Sequence, residues 1–234
     1  MSEKIIALIP AAGTGTRFGD SLPKQYLDVN GQPLIVHTLQ ALARVSRIEK
    51  IIVVLSPEDQ HWRGLVANDR PVWQALSTRV ETINVGGKSR RDSVLNGLNA
   101  IECAAAWIMV HDAARPCIRS ELVEQFIDEL ENDSVGGLLA LPLSDTIKLD
   151  DGNLRVAKTL SRENIWRAQT PQMFKFELLK KALTASPNAT DEAEAIEATG
   201  HQPKLVMGDS ANLKVTYATD LKLAKMLLSE AKKK

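Results

Sequence analysis

The feature that most constrains this chain is an alternation of short apolar runs with amphipathic segments of helical period. Lys4–Ile9, Lys50–Leu55, Val80–Val85, Ala106–Val110 and Gly136–Leu143 read as strands, and Pro33–Arg44, Ser89–Glu102 and Ser120–Glu131 as helices between them. Pro33 falls in a first helical turn, with Ile35, Leu39 and Leu42 on one face, and Val94, Leu95, Leu98 and Ile101 share a face of the next helix. Strands apolar on both faces need cover on both faces, so the expected class is α/β, a mostly parallel sheet between helices. Such sheets bind ligands beyond the carboxyl ends of their strands.

One segment breaks the rhythm. Thr146–Leu149 and Leu154–Ala157 flank Asp150-Asp151-Gly152-Asn153, a hairpin pattern with Asp-Gly at the turn. A two-stranded ribbon is marginal alone, so it packs either on its own domain or on a second subunit. Phe176–Ala185 and Glu192–Thr199 then read as helices, Lys204–Met207 as a strand and Asp220–Lys232 as the last helix. The parse is one domain over 1–234 with a β-ribbon arm at 144–162.

The 234 residues are long enough to bury a core without staples, and 44% are hydrophobic, which argues against disorder. The 29 Lys plus Arg balance 29 Asp plus Glu, which argues against a surface that as a whole grips nucleic acid or an anionic membrane. Cys103 and Cys117 form no CxxC pair, so a reducing cytoplasm is the expected compartment. The apolar run Ile5–Ile9, preceded by Glu3 and closed by Pro10, suits a buried strand better than a signal peptide, and no run approaches a membrane span.

The chemistry gathers in the loops after strands. Pro10-Ala11-Ala12-Gly13-Thr14-Gly15 follows the first strand and leads to Arg17 and then Lys24. Small residues let the backbone approach a ligand and point N–H groups at an anion, and an Arg with a Lys beside them suits a polyphosphate. Phe18 stands where a dinucleotide fingerprint needs its third glycine. Gly86-Gly87-Lys88-Ser89 imitates the end of a P-loop, but Thr82 holds the place of that motif's first glycine. The segment reads equally well as a plain turn and cap or as glycines that hug a flat base, with Arg90 and Ser93 on the helix behind. Asp112, just past the fourth strand, stands where a magnesium-binding carboxylate would, with Ala113 beside it and Arg115 on the same loop; His111 reads as structural. Thr146, Arg162, Thr170-Pro171-Gln172 (a turn), Thr190-Asp191-Glu192 (an N-cap) and Lys214 read as structural by spacing alone.

Taken in order, Pro10–Arg17, Pro23–Tyr26, Gly86-Gly87 with Arg90 and Asp92–Val94, His111–Pro116, Asp145-Thr146, Thr170–Gln172, Thr190–Glu192 and Asn212–Thr216 resemble the 2-C-methyl-D-erythritol 4-phosphate cytidylyltransferases of the non-mevalonate isoprenoid pathway. The resemblance covers nearly the whole chain. It implies a Rossmann-like nucleotidyltransferase fold, magnesium, CTP and a polyol phosphate as substrates, and a homodimer whose ribbons interlock. By motif position, Ala11 to Gly15 cradle the triphosphate, with Arg17 and Lys24 as main catalytic cations. Gly86, Gly87 and Ser93 line the cytosine pocket, and Asp112 lies near magnesium and ribose. Arg115, Thr146, Thr170, Thr190 and Lys214 form the sugar-phosphate site, joined by Arg162 of the partner subunit. Lys88 departs from the pattern, because the family can carry an acidic residue after the glycine pair.

A phosphate nucleophile is already an anion, so the expected mechanism is in-line attack on the α-phosphate with no general base. Alternatives are a sister enzyme acting on another polyol phosphate such as ribitol 5-phosphate, a sugar-1-phosphate nucleotidyltransferase, and a non-catalytic nucleotide-binding module. Arg17, Lys24, Arg115, Arg162 and Lys214 are expected to converge on one cleft, a local excess that the balanced total hides.

Overall fold

The computed structural model describes residues 4–13, 22–67, 71–102 and 106–231. The centre is a seven-stranded sheet of β1 (Ile5–Pro10), β4 (Ile48–Val54), β5 (Val80–Ile83), β6 (Trp107–Val110), β7 (Gly136–Pro142), β10 (Trp166–Lys175) and β11 (Lys204–Met207). Two small pairs stand apart, β2 (Asp28–Val29) with β3 (Gln32–Pro33), and β8 (Ile147–Asp150) with β9 (Val156–Leu160). The large sheet runs β11-β7-β10-β6-β1-β4-β5. All its neighbours are parallel except β10, which is antiparallel to both β6 and β7.

Successive residues of each buried strand face opposite layers. Ala7, Ile9, Ile51, Val53 and Met109 join a core with α1 (Leu34–Ala43), α2 (Trp62–Ala67), α3 (Pro71–Leu76) and α5 (Ser120–Leu130). Ile6, Leu8, Ile52, Val54 and Ile108 join the other with α4 (Arg90–Asn99), α6 (Phe176–Ala185) and α7 (Glu192–Glu197). The last helix, α8 (Ala218–Ala231), packs with Val29, Leu34 and Cys117 in a third, smaller cluster. The expected three-layer α/β architecture is therefore present. No helix among the described residues is long and apolar enough to cross a membrane.

Two expectations change. The pattern predicts a turn at Thr170–Gln172, but these residues lie inside β10, where the pairing with β7 shifts between Ala168 and Gln172. Their polar side chains are buried because distant segments supply partners: Asn212 Nδ2 donates to the Thr170 carbonyl at 2.8 Å, and Gln172 Nε2 to Asp191 Oδ2 at 3.0 Å. The ribbon is also longer than its alternation predicts, since Ile147 pairs with Leu160 and the turn widens to residues 151–155, with Gly152 at φ +88°. The ribbon carries the chain from the end of β7 back into the sheet as β10, and that return produces the antiparallel strand. Leu154 is 94% and Val156 64% exposed at its tip.

Candidate active site

A cleft of about 460 Å³ opens at the carboxyl ends of β1 and β6. Pro10, Ala11, Ala12 and Gly13 form one wall, Gly87, Lys88, Ser89, Arg90 and Ser93 a second, and Asp112, Ala113 and Ala114 the floor, with Lys24 and Lys214 at the rim. Thr14, Gly15 and Arg17 lie outside the described residues. The loop after β1 is held from below. Ala11 N donates to Val54 O at 2.9 Å, and the buried Gln25 reaches up so that Nε2 donates to Ala11 O at 2.8 Å and to Gly13 O at 3.1 Å. Carbonyls tied down this way let the N–H groups beyond Ala11 turn toward an anion. Lys24, at the start of a short 3-10 turn, places Nζ 3.3 Å from Val215 O, next to Lys214 in sequence.

The second wall is built by serines. Ser89 caps α4, its Oγ accepting from Asp92 N at 3.0 Å. Ser93 Oγ donates to Ser89 O at 2.9 Å and accepts from Gly87 N at 3.0 Å. A Cβ on Gly86 would collide with Ala12 Cβ and Leu55 O, and one on Gly87 with Asp92. Only glycine lets the two walls stand this close. Gly86 itself sits behind the wall rather than on it.

The floor is a charged network. Asp112, 6% exposed, accepts from Arg90 Nε at 2.8 Å on Oδ1, and faces Lys214 Nζ at 3.0 Å and Arg115 Nε at 3.4 Å on Oδ2. Burial alone would raise its pKa, but Arg90, Lys214 and Arg115 outweigh that and hold the carboxyl far below the usual range. Arg115 lies beneath the cleft, where Nη1 donates to Asn212 O at 2.8 Å. Beside it, Thr170 Oγ1 accepts from Asp112 N at 3.0 Å and lies 3.1 Å from His111 Nδ1. His111 Nε2 faces Arg115 O at 3.4 Å, which makes Nε2 the protonated nitrogen. Burial, partly opposed by Asp112 and reinforced by Arg115, pushes the His111 pKa down to about 4. A neutral, fully buried imidazole suits a structural post, as the sequence implies.

The profile of the family described as 2-C-methyl-D-erythritol 4-phosphate cytidylyltransferase matches residues 5–230. The chain belongs to this family. A relative of that name from Dechloromonas aromatica (strain RCB) is 50% identical over 229 residues, 97% of this chain and 98% of the relative. One from Azoarcus sp. (strain BH72) is 48% identical over 226 residues, 95% and 93% of the two chains. Among solved structures, a 4-diphosphocytidyl-2C-methyl-D-erythritol synthase superposes with a TM-score of 0.83 at 35% identity, covering 97% of this chain and 100% of that one. A 2-C-methyl-D-erythritol 4-phosphate cytidylyltransferase from Francisella tularensis gives 0.79 at 32% identity over 96% and 99% of the chains.

This cytidylyltransferase brings together fewer of the expected site residues than the motifs imply. Lys24, Lys214, Asp112, Arg90, Ser93, Gly87 and the small residues after β1 share the cleft, whereas Arg115 and Thr170 support it from below. Thr190 is exposed and spent locally, its Oγ1 donating to Glu194 Oε2 at 2.7 Å. Thr146 and Arg162 sit at the base of the ribbon, outside this chain's cleft, with Arg162 Nη1 donating to Ser144 O. Two contributors lie within the matching strings but receive no role from them, Gln25 in Pro23–Tyr26 and Glu192 in Thr190–Glu192, which spacing reads only as part of a cap.

Proposed function

We propose that the cleft transfers CMP from CTP to 2-C-methyl-D-erythritol 4-phosphate. A substrate phosphate oxygen forms the new bond to the α-phosphorus of CTP as the α–β bridging P–O bond breaks, and pyrophosphate leaves with that electron pair. The supporting observation is the composition of the cleft. Lys24, Lys88 and Lys214 surround a glycine-rich loop, and the nearby imidazole is buried and neutral. Such a site binds and stabilises anions, and the reaction asks for nothing else, because its nucleophile is already ionised.

Residue roles follow the family motifs. Ala11 to Gly15 cradle the triphosphate, while Arg17, Lys24 and Lys214 stabilise the five-coordinate phosphorus and the leaving group. Gly87, Arg90 and Ser93 hold the base side, with Gly86 closing up the wall behind them. Lys214 serves the sugar phosphate at the rim, Arg115 and Thr170 support it from below, and Thr146 and Thr190 join it by motif position only, with Arg162 supplied by a second copy whose ribbon interlocks with this one. The exposed apolar ribbon tip favours that homodimer. A reducing cytoplasm suits its substrates and its two cysteines, which form no CxxC pair.

Magnesium fits the donors present. Among the described residues no group of three or more His, Cys, Asp or Glu could hold a metal, so the ion would take one carboxylate, Asp112, with phosphate oxygens and water completing its shell. Asp112 is ionised and keeps a lone pair beyond its three cationic partners. The ion would supply charge neutralisation at the triphosphate.

Pyrophosphate release measured with a panel of triphosphates and polyol phosphates tests this reading. CTP with methylerythritol phosphate should exceed every other pair, and preference for ribitol 5-phosphate would overturn the acceptor assignment. Lys24→Ala should lower kcat by about two to three orders of magnitude, the effect of losing one preorganised donor worth roughly 3–4 kcal/mol, with the fold retained.

A further inference from the structure

Glu192 is completely buried at the first residue of α7 and does not line the cleft. Its two carboxylate oxygens accept from Arg90 Nη1 at 2.7 Å and Nη2 at 2.9 Å. The third nitrogen of the same guanidinium, Nε, donates to Asp112 Oδ1 at 2.8 Å, and Asp112 Oδ2 stands 3.0 Å from Lys214 Nζ. Four charged side chains thus link a buried helix end to a lysine at the rim of the cleft.

We propose that Glu192 is a positioning residue for the transfer reaction, aiming Arg90 at Asp112 and so fixing where Lys214 stands. This deepens, and rests on, the reading of the cleft given under Proposed function. The guanidinium is planar, with one edge carrying both Nη groups and another carrying Nε. Glu192 takes the first edge and Asp112 the second, and a planar group gripped on two edges cannot turn about its own axis. Without Glu192 the Nη groups would seek the nearest remaining anion, which is Asp112 or a bound triphosphate. Asp112 would then lose its fixed orientation, and Lys214 would follow. Charge stabilisation in the transition state is steeply sensitive to such shifts, since a misplacement of about 1 Å can cost roughly a hundredfold. The ground-state complex, held by many contacts, is less sensitive. The burial of Glu192 also means that it acts only through Arg90.

The test uses full-length protein and three variants. Glu192→Gln keeps shape and removes charge, Glu192→Asp keeps charge and shortens the arm, and Lys24→Ala reports on the cleft itself. Pyrophosphate release from CTP and methylerythritol phosphate gives kcat and KM, while melting curves give the folded fraction. Glu192→Gln is expected to lose about 10–100-fold in kcat with KM for CTP within threefold, and Glu192→Asp to recover part of that loss. Wild-type kcat in folded Glu192→Gln would overturn the positioning role, as would a loss confined to KM or to the folded fraction. Should Glu192→Gln not fold, Glu192→Asp decides. Lowered kcat at unchanged KM supports the role, and wild-type kcat makes Glu192 purely architectural. Near-wild-type Lys24→Ala would overturn the reading of the cleft, whereas inactive Lys24→Ala beside unaffected Glu192 variants would overturn only the role of Glu192.

Discussion

His111 should make the fold sensitive to mild acid in a way that one substitution removes. The imidazole is fully buried and neutral, with its pKa lowered from 6.5 to about 4. The unfolded chain therefore takes up a proton at a pH where the folded chain refuses it. Stability from this group is complete above pH 6.5 and is lost as pH falls toward 4. The gap between 6.5 and about 4 corresponds to about 3–4 kcal/mol at roughly 1.4 kcal/mol per pH unit, of which about 3 kcal/mol is expressed by pH 4. Asp112 acts in a separate window, because its folded pKa lies far below the unfolded value of about 3.9 and its contribution fades only below that. Urea unfolding from pH 7 to pH 4 should be compared for wild type and His111→Gln, whose amide keeps a donor for Arg115 O and an acceptor for Thr170. The wild type should lose about 3 kcal/mol more than the variant across that range. Parallel curves, differing by less than about 0.5 kcal/mol in their pH dependence, would refute a neutral buried His111.

Gly86→Ala should destabilise the protein by about 1–3 kcal/mol, because its methyl group must displace Ala12 or the Leu55 carbonyl, and a falling melting temperature together with weaker CTP binding would report both effects. Cys117 is buried, and burial pushes its thiol pKa up to about 12, so in a Cys103→Ser background the native protein should resist iodoacetamide at pH 8 until urea is added. If the proposed ribbon-mediated homodimer forms, charging the ribbon tip with Leu154→Asp and Val156→Asp should shift it to monomer in sedimentation equilibrium and lower activity, and an unchanged mass would overturn that assembly.

The parts of the fold that sequence reveals are those whose burial is written in their own residues. Ile5–Pro10 and the Ile51–Val54 part of β4 are apolar on both faces because helices cover both, and no other element explains such a run. β10 carries Gln169, Thr170 and Gln172 at buried positions, and spacing reads them as a turn. Their partners are Asn212, His111 and Asp191, which are distant in sequence, so no local pattern announces that these polar groups will be satisfied. The helix-start pattern at Thr190–Glu192 is likewise read correctly as a cap, with Asp191 Oδ1 accepting from Glu194 N at 2.9 Å. What the pattern conceals is that the next residue turns inward to a charged partner 102 positions away.

The same distinction governs the cations. Equal totals of 29 basic and 29 acidic residues say nothing about which arginines face solvent, substrate or a buried carboxylate. Arg90 gives both Nη groups to Glu192 and its Nε to Asp112, and Arg115 is fixed by Asp112 and Asn212 O, so neither guanidinium has its whole fork available for a phosphate. Lysines take that part in the described cleft, with Lys24, Lys88 and Lys214 along its lining. The division follows from desolvation. Guanidinium is weakly hydrated and can satisfy several acceptors in one plane, so it tolerates burial between carboxylates, whereas an ammonium is strongly hydrated and keeps its place at the wet rim. In the described cleft, then, burial commits much of Arg90 and Arg115 to carboxylate and carbonyl partners and leaves the lysines at the rim, and replacing Arg90 with Lys should damage the cleft although the charge is unchanged.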